Sequence, residues 1–386
     1  MIDLAVLETL NAPTREERLE NLKSVLRTAQ FPPMVPQYIN NHIHTTYSFS
    51  PTAAVYAARA EGLCTAGIID HDSIAGAREF LSAAKLVGMP VTVGMECRVS
   101  MNGTAIEGKR TNNPDQAGVS YMTIQSVPHE HIEELNDWFA PYRAARGRRN
   151  RKMVENINAL LDGIRLDYDR DVLPLTQAAD GGGVTERHLM YALAKKMVQK
   201  AGKGQPMVDY LASIGLTLSQ KQQAQMLDVP YPFYEYDLLG ILKSAFVPRV
   251  YVDATDECPN VRDVAALCEK MDALLCYAYL GDVTASVTGD KKAQKFEDDY
   301  LDDVIACIKG CGIRAVTYMP TRNTPEQLAR LRALCEKNGL FQVSGEDINS
   351  PRQSFIIRAM ENPLFSNLID ATWKLIEHES SGAAIC

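Results

Sequence analysis

From residue 38 onward the sequence alternates short apolar runs with amphipathic stretches, and this alternation restricts the fold more than any other feature. "YINNHIH" is followed by "SPTAAVYAARAEG", in which Ser50 is placed to cap a helix, Pro51 to begin it and Gly62 to close it. The run "TAGIID", the helical "IAGAREFLSAAKLVG" and the run "VTVGME" continue the pattern. Late in the chain "VPRVYV", "ALLCYAYL", "IRAVTY" and "LFQVSG" read as strands, with helices near 259–272, 295–309 and 324–338 between them. Alternating β and α units predict an α/β fold with a parallel sheet, open or closed into a barrel.

Two segments lie outside that pattern. Residues 1–37 form a helical arm, where Thr14 and Glu17 make a capping box and Leu19, Leu22, Val25 and Leu26 repeat at helical spacing. Pro32, Pro33 and Pro36 force extended backbone and end it. Residues 130–246 carry no strand signal and read as a helical insertion or cap. The expected organisation is an arm (1–37), a discontinuous barrel (38–129 and 247–386) and an insertion (130–246) over its C-terminal rim.

The 386 residues carry a formal charge of −8, which argues against a general nucleic-acid coat. The first twenty residues lack the basic start of a signal peptide, and no apolar run approaches a membrane span. Nine cysteines without framework spacing fit a reduced, cytoplasmic setting. Cys307 and Cys311, four apart on a helix, read as ordinary thiols.

Ligand-type residues recur at corresponding places in the β/α pattern. His42 and His44 end the first strand, Asp70, His71 and Asp72 follow the second, Glu96 closes the third, and Asp347 follows the last. Residues two apart on a strand share a face, so both imidazoles of His42-Ile43-His44 can reach one ion. In a parallel barrel the C-terminal strand ends converge on one rim, which brings positions some 300 residues apart together. A His, Glu and Asp donor set suits Zn, Mn or Fe rather than Ca or Mg.

"HIHTTYSFSP", "GIIDHDSIAGAREF", "GMEC" and "SGEDINSP" together resemble a PHP domain, of the polymerase and histidinol phosphatase superfamily, over residues 38–128 and 247–350. "TERHLMYAL" resembles part of the helical insertion in its nucleotide-phosphatase branch. The resemblance implies a distorted (β/α)7 TIM-like barrel with metals at the strand C-termini, hydrolysing phosphate esters. Carried over by position, the first metal would take His42, His44, Glu96 and Asp347. Histidines of the second metal are replaced by Tyr121 and Tyr279, and the third is left with His71 beside Phe49 and Asn349. Phenylalanine cannot ligate and neutral asparagine is a poor ligand, so the resemblance implies one divalent transition metal ion and two degenerate sites. His71 is then available as general acid or base, with Asp70 and Asp72 beside it.

Substrate-holding groups follow. Arg98, Arg322 and Arg352 lie at strand ends or near Asp347, and Arg187 and His188 start a helix, where backbone N–H groups favour anions. The run Arg143, Arg146, Arg148, Arg149, Arg151 and Lys152 is divided evenly between phosphate capture and a solvated helix face. Trp138, Phe139 and Tyr142 read as core. The reading is a cytoplasmic metal-dependent phosphoesterase for a small phosphorylated substrate, with nucleic acid entering only as a nucleotide or short oligonucleotide. Hydrolysis of a C–N bond, or a PHP-like binding protein without catalysis, are the alternatives.

Overall fold

In the computed structural model, which describes residues 3–45, 49–283 and 295–384, the N-terminal arm is two helices, α1 (Leu4–Leu10) and α2 (Arg15–Leu26). Thr14 caps α2 as its spacing predicts, its hydroxyl accepting from the Glu17 amide at 3.2 Å while the Glu17 carboxylate accepts from the Thr14 amide at 3.1 Å. Leu7, Leu10 and Leu22 bury the inner face of the arm against the barrel. Residues 46–48, inside the "HIHTTYSFSP" motif, lie outside the described residues.

The barrel runs β1 (Val35–Ile43), α3 (Pro51–Ala60), β2 (Leu63–His71), α4 (Ala77–Val87), β3 (Val91–Ser100) and β4 (Val119–Gln125). The insertion follows as α5 (Ile132–Leu160), α6 (Glu186–Ala201), α7 (Gln205–Ser213), α8 (Gln220–Leu227) and α9 (Tyr234–Val250). The chain then returns through α10 (Val261–Lys270), β5 (Leu274–Ala278), α11 (Leu301–Gly310), β6 (Ala315–Tyr318), α12 (Pro325–Asn338), β7 (Phe341–Ser344) and α13 (Ser366–Ser381).

The seven strands pair in sequence order. Two expectations need correction. The sheet is mixed, because β4 runs antiparallel to both β3 and β5. A hairpin-like return after β3 needs no crossover helix, which removes the reason for a parallel fourth strand. "VPRVYV" is not a strand: Val247 and Val250 belong to the last turns of α9 and are buried in the insertion's core. A β-branched run has strand propensity, but packing against a helical core overrides it. The strand that completes the set of seven is instead β4, which carries Tyr121.

Closure between β1 and β7 is made just past their ends, where the His44 amide donates to Ile348 O at 3.0 Å and the Ile348 amide to His42 O at 3.2 Å. This nearly closed, distorted barrel sets the first and last strand ends side by side. Gly345 allows it: a Cβ there would lie 2.5 Å from the His42 Cβ. The insertion has a second apolar core, built on Met190, Leu193, Leu239 and Leu242. Helix α13 is anchored to the barrel by Glu379, whose carboxylate accepts from the Val93 amide at 3.0 Å. No helix among the described residues is long and apolar enough to cross a membrane.

Glu297 gives a first test of this architecture. It is fully buried behind the end of β5, accepting from the Leu280 amide at 2.9 Å and the Gly281 amide at 3.3 Å. Burial pushes its carboxyl up to about 7, against those amides, which pull it down. A carboxyl raised above its unfolded value of 4.5 binds its proton more tightly when folded, so stability falls as pH rises between 4.5 and about 7. The loss reaches roughly 3 kcal/mol. Glu297→Gln should flatten that slope in urea titrations between pH 5 and pH 8; an unchanged slope would assign the pH dependence to other groups.

Candidate metal centre and active-site cleft

His42 and His44 leave β1 on one face, their ring centroids 5.0 Å apart. Glu96 reaches them from β3, and one ligand atom from each of the three lies within 4.8 Å of the others. All three side chains are buried. The His42 Nε2 has no hydrogen-bond partner and is 3.8 Å from a Glu96 oxygen. A buried imidazole nitrogen without a partner is costly unless something electrophilic satisfies it. Two imidazoles and a carboxylate form a donor set that fits Zn, Mn or Fe.

Asp347, beyond β7, accepts from His44 Nε2 at 3.2 Å and from the Asn349 amide group at 2.8 Å. His71 sits at the end of β2, stacked on His44 at 4.5 Å, with its Nδ1 2.9 Å from the second Glu96 oxygen. Burial holds the His42 imidazole below its ordinary range, with the nearby Glu96 charge opposing. Burial would also lower His44, but the hydrogen bond and charge of Asp347 lift it above its usual value. For Glu96 burial raises the carboxyl, yet the His71 and His42 rings overcome that and hold it low. These directions favour an ionised Glu96 and a neutral His42, the forms that bind metal, whereas Asp347 favours the protonated form of His44.

A cleft of about 140 Å³ opens onto this cluster, lined by His42, His71, Glu96 and Asp347 and facing Arg187 and Lys243 of the insertion. Tyr121, Tyr279 and Asn349 line it too, so these three degenerate positions all border the cleft. Tyr279 donates to Asp298 at 2.6 Å. Phe49 lies away from the cleft, packed edge-on against Phe355 at 5.4 Å.

Several residues expected to do chemistry are engaged elsewhere. Asp70 accepts from the Thr45 amide and hydroxyl, both at 2.6 Å, and so secures the chain leaving β1. Asp72 pairs with Arg146. Arg98 is buried between Glu257 and Glu186 rather than facing a substrate. His188 is buried, and its Nδ1 accepts from the Thr185 amide at 3.0 Å to cap α6. Arg322 donates to Leu280 O at 3.0 Å, and Arg352 is held by Asp237 at 2.6 Å with its guanidinium 3.6 Å from the Tyr231 ring. Of the five expected substrate residues, only Arg187 borders the cleft.

The arginine run divides by helical face. Arg146 and Arg149, three apart, are buried among carboxylates, while Arg148, Arg151 and Lys152 face solvent. Trp138, Phe139 and Tyr142 pack on the barrel core, with Phe139 fully buried. Sequence reasoning missed Lys243, on a helix with little amphipathic signal, and Glu186 and Glu257, whose role shows only once the arginines are buried beside them.

No family model matches the chain. A 168-residue stretch, 41% of the chain, is 29% identical to the error-prone DNA polymerase of Mycobacterium tuberculosis and spans 13% of that protein. A 68-residue stretch, 17% of the chain, is 40% identical to a 5'-3' exoribonuclease of Haemophilus influenzae and spans 25% of it. The chain therefore matches only a small part of these relatives. Among solved structures, a provisionally assigned metal-dependent phosphoesterase from Bifidobacterium adolescentis superposes with a TM-score of 0.54 at 20% identity, covering 88% of this chain and 98% of that one. An amidohydrolase from Chromobacterium violaceum, with bound sulfate and no metal, superposes at 0.53 and 15% identity, covering 83% and 90%.

Proposed function

We propose that this chain, a PHP-type barrel, is a metal-dependent hydrolase of a small phosphomonoester, with His42, His44, Glu96 and Asp347 holding one divalent transition metal ion. The observation that carries the reading is the unpartnered His42 Nε2 beside Glu96, in a cleft that faces Arg187 and Lys243. An ion held there would supply Lewis acidity toward a phosphoryl oxygen and toward water.

The chain's own residues supply the rest. Arg187 and Lys243 bind and orient the phosphate dianion from the insertion side. His71 carries the proton, because its ring borders the cleft and its Nδ1 is oriented by Glu96. Tyr121 and Tyr279 wall the cleft where a multi-metal site would have further ligands. In this reading residues 130–246 are a unit that completes the barrel's site, although their last helix continues to Val250. The eight described cysteines, all free and buried, support a cytoplasmic setting.

Hydrolysis of an aryl phosphate by protein loaded with Mn or Zn tests the reaction class, and cleavage of amide substrates alone would favour the C–N alternative, which the amidohydrolase likeness keeps in view. Arg187→Ala should weaken phosphate binding by about 2–3 kcal/mol, the worth of a charge-assisted contact, with metal content unchanged. Phosphate binding equal to the parent's in that variant would remove Arg187 from the site.

A further inference from the structure

We infer that Arg146 is a positioning residue that fixes His71 and Arg187 relative to each other across the cleft, an inference that rests on their proposed roles as proton carrier and phosphate ligand. Each of those residues has an acid as its chain neighbour. Asp72 follows His71 and Glu186 precedes Arg187. The two Nη atoms of Arg146 divide between these acids: Nη1 pairs with Asp72 and Nη2 donates to Glu186 at 2.7 Å. One planar guanidinium thus joins the end of β2 to the start of α6.

Both ends of this bridge are held rigidly. Asp72 has a φ of +54°, a left-handed conformation that a non-glycine residue keeps only when its surroundings impose it. Its amide donates to Glu96 O at 2.7 Å, and its carbonyl accepts from Arg143 at 3.0 Å. The second Glu186 oxygen accepts from Arg149 at 2.7 Å. Arg98 and Arg149 share Glu257, so three arginines and three carboxylates form one linked group, buried except for the half-buried Glu186. Beyond Glu186, Arg187 donates to Asn349 O at 2.8 Å, two residues from Asp347. A shift at Arg146 therefore displaces the His71 turn and the Arg187 turn together.

Lysine has the charge but one nitrogen, and cannot replace a two-pronged bridge. Arg146→Lys should keep the parent's metal content, because Arg146 touches none of the candidate ligands. In titrations of metal-loaded protein with inorganic phosphate, Arg146→Lys should weaken binding about tenfold, which corresponds to one lost charged contact. Combined with Arg187→Ala it should add nothing, since the bridge acts through Arg187. Losses that multiply in the double variant would overturn the inference. Hydrogen exchange provides a readout that needs no phosphate. Amides 71–73 and 186–188 should both exchange faster in Arg146→Lys, and methylguanidinium added to Arg146→Ala should slow both again. Faster exchange at only one of the two turns would overturn the bridge. If Arg146→Lys fails to fold, Glu186→Gln serves in its place, with the same paired exchange expected and the same single-turn result against it. A parent protein that binds no phosphate would overturn the phosphate reading, and the exchange result would still decide the bridge.

Discussion

His42→Ala is expected to leave the purified protein without its transition metal, while Asn349→Ala retains it. The two residues differ in what they offer. The His42 Nε2 is a buried nitrogen without a hydrogen-bond partner, beside the Glu96 carboxylate and within the His42, His44 and Glu96 group. Removing it leaves His44 and Glu96 with Asp347, whose carboxylate is already 3.2 Å from His44 Nε2. Asn349 only donates to Asp347 at 2.8 Å, so its loss loosens a ligand without deleting one. Loss of such an outer partner costs roughly 10–100-fold in metal affinity, and loss of a ligand should exceed that. Elemental analysis decides the matter: one equivalent in the parent and in Asn349→Ala, none in His42→Ala. Two or three equivalents in the parent would mean that Tyr121, Tyr279 or Asn349 tolerate further ions. None under metal-replete conditions would remove the metal reading altogether.

The grouping of His42, His44 and Glu96 was legible in the sequence because it depends on periodicity. Two histidines at a spacing of two on a strand must share a face, and strand ends on a barrel rim must converge, whatever the details of packing. The helical arm and most of the β/α alternation were legible for the same reason. The antiparallel β4 was not, since strand direction leaves no trace in the alternation of residue types. "VPRVYV" shows the limit of local propensity: Val247 and Val250 are strand formers that a second apolar core draws into a helix. The arginines were the least legible feature. Arg98, Arg322 and Arg352 lie at the strand ends and loops the sequence indicated, yet Glu257, the Leu280 carbonyl and Asp237 take their guanidinium groups. These partners come from distant parts of the chain, Asp237 from the insertion and Glu257 and Leu280 from the second barrel segment, and no spacing within the chain encodes them. Arg187 and Lys243 reach the cleft from that same insertion.

The arm offers the largest effect on stability. Arg18, on α2, donates to both oxygens of Glu79 on α4, at 2.8 and 2.5 Å, and also to the carbonyls of Ala12 and Pro13 at 3.0 Å. Glu79 in turn accepts from the Thr52 amide at 3.1 Å and hydroxyl at 2.7 Å, at the start of α3. Both charges are buried, with Arg18 6% and Glu79 4% exposed. One ion pair therefore joins the arm to two barrel helices. Arg18→Ala would strand an ionised carboxylate in the interior, which costs about 3–5 kcal/mol, and the surviving Thr52 bonds favour the lower end. Arg18→Met with Glu79→Leu removes both charges and keeps their volume, and should recover most of the loss. Thr52→Ala, which deletes one hydroxyl contact and leaves the pair intact, should cost about 1 kcal/mol. Urea unfolding of the four proteins measures these differences, with metal content as a control, since none of the three residues belongs to the candidate metal cluster. A loss under about 1 kcal/mol in Arg18→Ala, below what stranding a buried charge requires, would mean that the arm is not held to the barrel by this pair.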